Sequence, residues 1–235
     1  MIRYVLLDLD DTLLQNSMDT FIPPYFKALV GHLNPYVKPE IMLPALQAGT
    51  DAMQHNTNPA CTLEQVFDTV FYPAVGIPKE QLCPHLEDFY ARVFPTLRVH
   101  TRQLPAGQNL VQRLLQEDFK LVIATNALFP RSAVLHRLDW AGLGADIISY
   151  ELIASYEQFH FAKPSPNYYR DILSFLRAEP DECVMVGNDL EADILPANAV
   201  GIQAYHLSDM ILPGVQPGWG FGSHAGILNW LSELQ

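Results

Sequence analysis

Short apolar runs, partly β-branched and each closed by polar residues, recur along the chain. Tyr4-Val-Leu-Leu-Asp8 is the first, and Leu121-Val-Ile-Ala124, Cys183-Val-Met-Val186 and Ile202-Gln-Ala-Tyr205 follow it. Runs of this length and make-up predict buried strands, and Ile147-Ile148 is read as part of a further one. Between them the apolar positions fall three and four apart. Leu110, Val111, Leu114 and Leu115 mark a helix over Asn109–Glu117, and similar patterns predict helices over Arg131–Trp140, Asn167–Leu176 and Leu190–Val200. Strands alternating with helices predict an α/β fold built on a parallel sheet with right-handed crossovers.

One long stretch breaks the alternation. From about Ser17 to about Leu97 the pattern is helical throughout, over Pro24–Leu33, Pro39–Met53, Leu63–Val75 and Lys79–Phe94. Pro39 and Pro78 suit first-turn positions. An insertion of this size is large for a crossover, so it reads as a separate helical subdomain. It would occupy residues 17–98, joined through Gln15–Asp19 and Arg98–Gly107 to a core made of residues 1–16 and 99–235. The stretch from Pro213 to Gly222 reads as a Pro/Gly-rich loop before a final short helix.

Composition narrows the partners. Lys and Arg number 14 against 26 Asp and Glu, a net charge of -12, which lacks the basic footprint of a nucleic-acid or anionic-membrane binder. No run approaches the roughly 20 apolar residues of a membrane span, and no basic start with an apolar core marks a signal peptide. Cys61, Cys83 and Cys183 are odd in number and irregularly spaced, which suits a reducing compartment. The expectation is a soluble, cytoplasmic protein.

The chemistry gathers where strands end. Asp8-Leu-Asp10-Asp-Thr12 places three carboxylates in four positions after the first strand, and ligands of parallel sheets bind at that edge. Such carboxylates repel one another unless a cation or proton intervenes, and oxygen-only ligands favour Mg2+. Thr125-Asn126 follows the second strand and could hold a phosphoryl oxygen through its hydroxyl and a backbone N–H. Lys163 is pinned by prolines in Ala162-Lys-Pro-Ser-Pro166. Gly187-Asn-Asp-Leu-Glu-Ala-Asp193 follows the third strand, with Asp189 and Asp193 at a spacing that shares a helix face. Each group taken singly is also what a turn or helix cap uses. Their joint occurrence after successive strands is what points to a site.

These four motifs together resemble those of the haloacid dehalogenase-like hydrolase superfamily. The likeness runs from Ile2 to about Tyr205, and the helical insertion stands where that superfamily carries its helical cap. The resemblance implies a Rossmann-like core with helices on both faces of the sheet and an all-helical cap. It also implies a Mg2+-dependent phosphatase acting on a small phosphorylated metabolite. Asp8 would be the nucleophile that becomes an aspartyl phosphate and Asp10 the acid and base. Thr125, Asn126 and Lys163 would hold the phosphoryl group, and Asp8, Asp10, Asp189 and Asp193 would serve the metal. Many relatives have Gly-Asp-Ser at 187–189, so the metal role falls to Asp189 first and Asp193 next, with Asn188 offering a neutral oxygen. Asn16, His55, Asn56, Arg98, His100 and Arg131 are further polar positions from which a substrate could be read. A phosphomutase uses the same acids, whereas a metal-independent dehalogenase needs neither Asp10 nor Asp189. A phospho-accepting regulatory protein would lack the insertion.

Overall fold

A computed structural model describes residues 1–208 and 219–234. The first apolar run forms β1 (Tyr4–Leu7), buried at all four positions. Its side chains alternate between two cores, Tyr4 and Leu6 on one face of the sheet and Val5 and Leu7 on the other, as the pleat requires. β2 (Leu14–Gln15) then pairs antiparallel with β3 (Arg102–Gln103). Between them lie α1 (Met18–Leu33), α2 (Pro39–Gln54), α3 (Leu63–Val75) and α4 (Lys79–Asp88). The helical path runs on through a π-helical turn, Phe89–Val93, and a 3-10 stretch, Phe94–His100. Helix α1 starts six residues before Pro24, with Pro23 and Pro24 inside its early turns. The segments read as linkers are largely taken up by β2, the start of α1, β3 and the first turn of the helix that begins at Pro105.

The remainder alternates as the pattern predicts: α5 (Pro105–Gln116), β4 (Lys120–Ile123), α6 (Arg131–Ala141), β5 (Leu152–Ile153), α7 (Pro166–Leu176), β6 (Cys183–Gly187), α8 (Leu195–Asn198), β7 (Gln203–Leu207), β8 (Gly220–Gly222) and α9 (Ile227–Glu233). Among the described residues six strands form one parallel sheet in the order β5-β4-β1-β6-β7-β8. Both faces are covered, so the central strands read as unbroken apolar runs. The chain is therefore an α/β Rossmann-like protein.

Two strand expectations are corrected. Ile147-Ile148 lies in a turn: both amides donate to the Gly144 carbonyl, and Ile147 is 70% exposed. The strand that pairs with β4 comes later, at Leu152–Ile153. Gly220–Gly222, read as loop, is β8 against β7. A side chain at Gly220 would lie within 3 Å of the Tyr205 and Trp230 rings, so the strand packs there only because position 220 has none. The rest of that predicted loop, 213–218, lies outside the described residues.

The helical insertion shares the core. Phe94 is fully buried, stacked on Trp140 of α6 with centroids 5.3 Å apart, and Phe21 lies 6.1 Å from the same ring. Among the described residues no helix is long and apolar enough to cross a membrane. The three cysteines are free, and Cys183 on β6 is fully buried. Burial pushes its thiol up to about 12, whereas the ordinary thiol range is about 8–9. Alkylation of the folded protein at pH 8 is therefore expected to spare Cys183, with roughly a thousandfold less thiolate there than at an ordinary cysteine. Mass spectrometry before and after denaturation checks this, and modification of Cys183 in the folded state would refute it.

Candidate active site

The carboxyl ends of β1, β4 and β6 bring the predicted residues to one edge of the sheet. Asp8 follows β1, and its amide donates to the Val186 carbonyl at 3.0 Å, so its position is fixed by the neighbouring strand. Lys163 stands before α7, 2% exposed. Its Nζ donates to Asp8 Oδ1 at 2.9 Å and to Asp193 Oδ1 at 2.5 Å. The Lys163 amide donates to Asn126 Oδ1 at 3.1 Å. Thr125 is buried, and its carbonyl accepts from the Tyr168 hydroxyl at 2.7 Å. Asp8, Asp10, Thr125, Asn126, Lys163, Asp189 and Asp193 all line one cavity of about 830 Å3.

Two buried acids share one ammonium. Burial disfavours the charged form of Lys163, but Asp193 and Asp8 outweigh it and hold the ammonium well above its ordinary range. Burial, with the charge of Asp8 added, raises Asp193 above the usual carboxylate range despite Lys163. The cluster therefore sets two carboxylates against one ammonium, and the raised Asp193 carboxyl is the consequence of that surplus.

The two acids of the 187–193 motif divide their work. Asp189 is exposed and caps the turn that follows, its Oδ1 accepting from the amides of Glu191 and Ala192 at 2.9 and 3.0 Å. Asp193 is buried, and its Oδ2 accepts from the Asp189 amide at 3.1 Å. It fits because position 187 is glycine: a Cβ there would lie 2.1 Å from Asp193 Oδ2. Asn188 Oδ1 accepts from the Thr12 hydroxyl at 3.1 Å.

Asp10 is held on both oxygens. Asn16 Nδ2 donates to its Oδ1 at 2.6 Å, and Arg137 Nη1 donates to its Oδ2 at 2.5 Å. Burial raises its carboxyl from the ordinary value, Arg137 opposing and Asp8 assisting. Arg137 was not among the residues singled out from the sequence. The available signal was its register: on α6 it lies four residues after Ala133 and three after Val134, both fully buried, so it occupies the apolar face. His224 and His206 were also missed. Their Nε2–H groups donate to the carbonyls of Thr12 and Asn188 at 2.8 and 3.0 Å, so the C-terminal elements brace two of the motif loops. Of the polar positions noted as possible substrate readers, Asn16 lines the cavity, whereas His55, Asn56, Arg98, His100 and Arg131 do not.

The helical segment lines the cavity with Tyr25, Phe67, Tyr72 and Tyr90. It also grips the loop that bears the lysine. Gln54 donates to the Lys163 carbonyl, Asn56 Nδ2 to the His160 carbonyl at 2.7 Å, and the Leu63 and Glu64 amides to the Phe159 and Tyr156 carbonyls at 2.8 and 2.9 Å.

Acids, a threonine and a lysine at the carboxyl edge of a parallel sheet, beneath a helical insertion, define an α/β enzyme with a covered reaction site. A family model described as haloacid dehalogenase-like hydrolase matches residues 2–201, so the chain belongs to that family and is a hydrolase. Ribulose-1,5-bisphosphate 5-phosphatase of Halopiger xanaduensis is 32% identical over 100 residues, covering 43% of this chain and 40% of that relative's length. Solved structures share the fold. A 2-haloacid dehalogenase from Pseudomonas syringae pv. Tomato aligns with TM-score 0.64 at 19% identity over 100% of both chains. A HAD phosphatase from Thermococcus onnurineus aligns with TM-score 0.59 at 17% identity over 98% of both. The HAD-hydrolase YfnB from Bacillus subtilis, solved with magnesium, aligns with TM-score 0.56 at 18% identity over 98% of both.

Proposed function

We propose that this hydrolase is a Mg2+-dependent phosphatase that cleaves a small phosphate monoester through an aspartyl phosphate on Asp8. The observation that carries the reading is the state of Asp8. Its Oδ1 is fixed by Lys163, while no protein donor among the described residues reaches its Oδ2, which belongs to a cavity-lining side chain. A carboxylate held in this way has one oxygen oriented and the other free to attack.

In the first step Asp8 Oδ2 attacks phosphorus, and the electron pair of the ester P–O bond leaves with the alcohol oxygen, which takes a proton from Asp10. In the second step water attacks the phosphorus of the acyl phosphate while the Asp10 carboxylate removes its proton. Inorganic phosphate leaves and the Asp8 carboxylate returns. Lys163 neutralises the transferring group from one side, and Thr125 and Asn126 orient its oxygens, since phosphoryl transfer depends mainly on positioning and charge. Residues 17–98 serve as the cap that excludes water and meets the leaving group.

The donor set suits a hard divalent cation. The site offers only oxygen ligands, sets two carboxylates against the one Lys163 ammonium and, among the described residues, leaves Asp189 Oδ2 without a protein hydrogen bond. Among the described residues no three His, Cys, Asp or Glu side chains converge as a preformed cage. That fits Mg2+, which takes one or two carboxylates and keeps waters or substrate phosphate. Asp8 and Asp189, with the Asp10 main-chain carbonyl and the Asn188 amide oxygen, would hold it. Asp193 is committed on both oxygens and acts as the counter-charge of Lys163. When bound, the ion supplies positive charge between the anionic nucleophile and the phosphate dianion.

Support comes from the phosphatase activity named for the Halopiger relative and from the magnesium in the Bacillus structure. The test is release of inorganic phosphate from a panel of sugar phosphates, nucleotides and other monoesters, with Mg2+ and with chelator. Release should fall by at least about a hundredfold on chelation. A folded protein that frees no phosphate from any ester in Mg2+ would overturn the proposal.

A further inference from the structure

Arg137 is a guanidinium with 1% exposure, set on α6 beneath the cavity. Arginine is almost never fully buried without a partner charge. Its ion-pair partner is Asp10, at 2.5 Å through Nη1. Among the described residues Nε and Nη2 have no partner, and the Phe129 ring lies beside the guanidinium, 4.7 Å from Cζ to the centroid. The guanidinium thus spends a single hydrogen bond among the described residues, on one oxygen of Asp10. Asn16, 2% exposed, takes the other oxygen from the opposite end of the carboxylate.

We infer that Arg137, with Asn16, is the positioning clamp of Asp10 in the hydrolysis. The clamp sets which lone pair faces the leaving group and stabilises the carboxylate left when the proton departs. The inference rests on the phosphatase reading and deepens it. In the step concerned the O–H bond of Asp10 breaks and the ester oxygen takes the proton. That oxygen also keeps the electron pair of the breaking P–O bond, so the alcohol leaves neutral and Asp10 becomes the anion that Arg137 and Asn16 hold. Each Asp10 oxygen accepts one hydrogen bond from the clamp and keeps a second lone pair, so the clamp does not occupy the position of the transferred proton.

A general acid matters in proportion to how poorly the leaving group departs alone. p-Nitrophenolate leaves without help, whereas an alkoxide does not. The experiment compares kcat and KM of the wild type, Arg137→Met and Arg137→Lys on p-nitrophenyl phosphate and on a simple alkyl phosphate, with melting temperatures alongside. Arg137→Met should lose about a hundredfold in kcat on the alkyl ester and less than about tenfold on the nitrophenyl ester, with KM little changed. Arg137→Lys keeps a charge but not the planar fork, and should show the same selectivity at smaller size. If Arg137→Met does not fold, the lysine variant decides. Equal losses on the two esters, in either folded variant, would overturn the inference and leave Arg137 a structural residue. A wild type silent on both esters would overturn the phosphatase reading, and the clamp with it.

Discussion

Replacing Asp8 with asparagine lowers kcat by at least about 10^4-fold, the scale on which loss of a covalent nucleophile is felt. The amide oxygen that remains is neutral and far less nucleophilic than a carboxylate oxygen, and attack through it would give an O-phosphorylated imidate, not an acyl phosphate. The variant should still fold. Asparagine keeps the shape, the Asp8 main-chain bond to Val186 is untouched, and Lys163 retains Asp193 at 2.5 Å. Replacing one of two acids that share a single ammonium also relieves their mutual repulsion, so the melting temperature should stay within a few degrees of wild type. Phosphate release and a thermal melt on the same preparation check both halves. Substantial turnover in a folded Asp8→Asn protein would remove Asp8 from the nucleophile role.

Replacing Lys163 with methionine should have the opposite profile, damaging the fold as well as the activity. The stem still fits, but Asp8 and Asp193 are left facing each other without a cation. Removing one partner of a buried ion pair costs about 3–5 kcal/mol. For a chain of this size that is about 10 °C of melting temperature. Turnover should fall by about 10^2–10^3-fold, as when one electrostatic contact to a transition state is removed.

The pH dependence follows from the sign of the shift. Burial already raises Asp193 above its unfolded value, and Lys163 is the group that lowers it. A carboxyl whose folded pKa exceeds its unfolded one stabilises most below the ordinary carboxylate range and loses that contribution as pH rises through the folded value. Without Lys163 the folded value climbs further. Urea unfolding should therefore show a larger deficit for Lys163→Met at pH 8 than at pH 5.5. Adding Asp193→Asn to that variant should recover much of the loss. A deficit independent of pH and indifferent to Asp193 would show that packing, not charge, holds the lysine in place.

Most parts of the site that could be read from the chain sit where an apolar run stops, Lys163 with its flanking prolines being the exception. Asp8, Thr125 and Gly187 each close a buried parallel strand, and such strands are legible because both faces are covered and the run is unbroken. The edges of the sheet were harder to read. β5 is two residues long, and β8 is Gly-Phe-Gly, whose glycines make room for Tyr205 and Trp230 instead of packing as β-branched residues would. The division of labour between Asp189 and Asp193 was hidden as well. Their spacing of four suggested one shared helix face, but the first residue is the cap of the turn and faces solvent, so only the second is buried. Arg137 escaped notice because a lone arginine in a helix ordinarily lies on solvated surface. Only its register with Ala133 and Val134 marks it as buried, and its partner Asp10 is 127 residues away in sequence.

The grip of the helical segment on residues 156–163 bears on how the cavity can be filled. Any path that lifts α2 and α3 away from the sheet must either break the four hydrogen bonds to that loop or carry the loop along. Breaking them costs about 0.5–1.5 kcal/mol each, roughly 2–6 kcal/mol in all, a barrier to be met at every opening. Carrying the loop along withdraws the Lys163 ammonium from Asp8 and exposes it to water. In the first case the loop sets how often the gate opens, and in the second an open gate is also a disarmed one. Admission of a molecule and the readiness of the reaction centre are then a single mechanical variable.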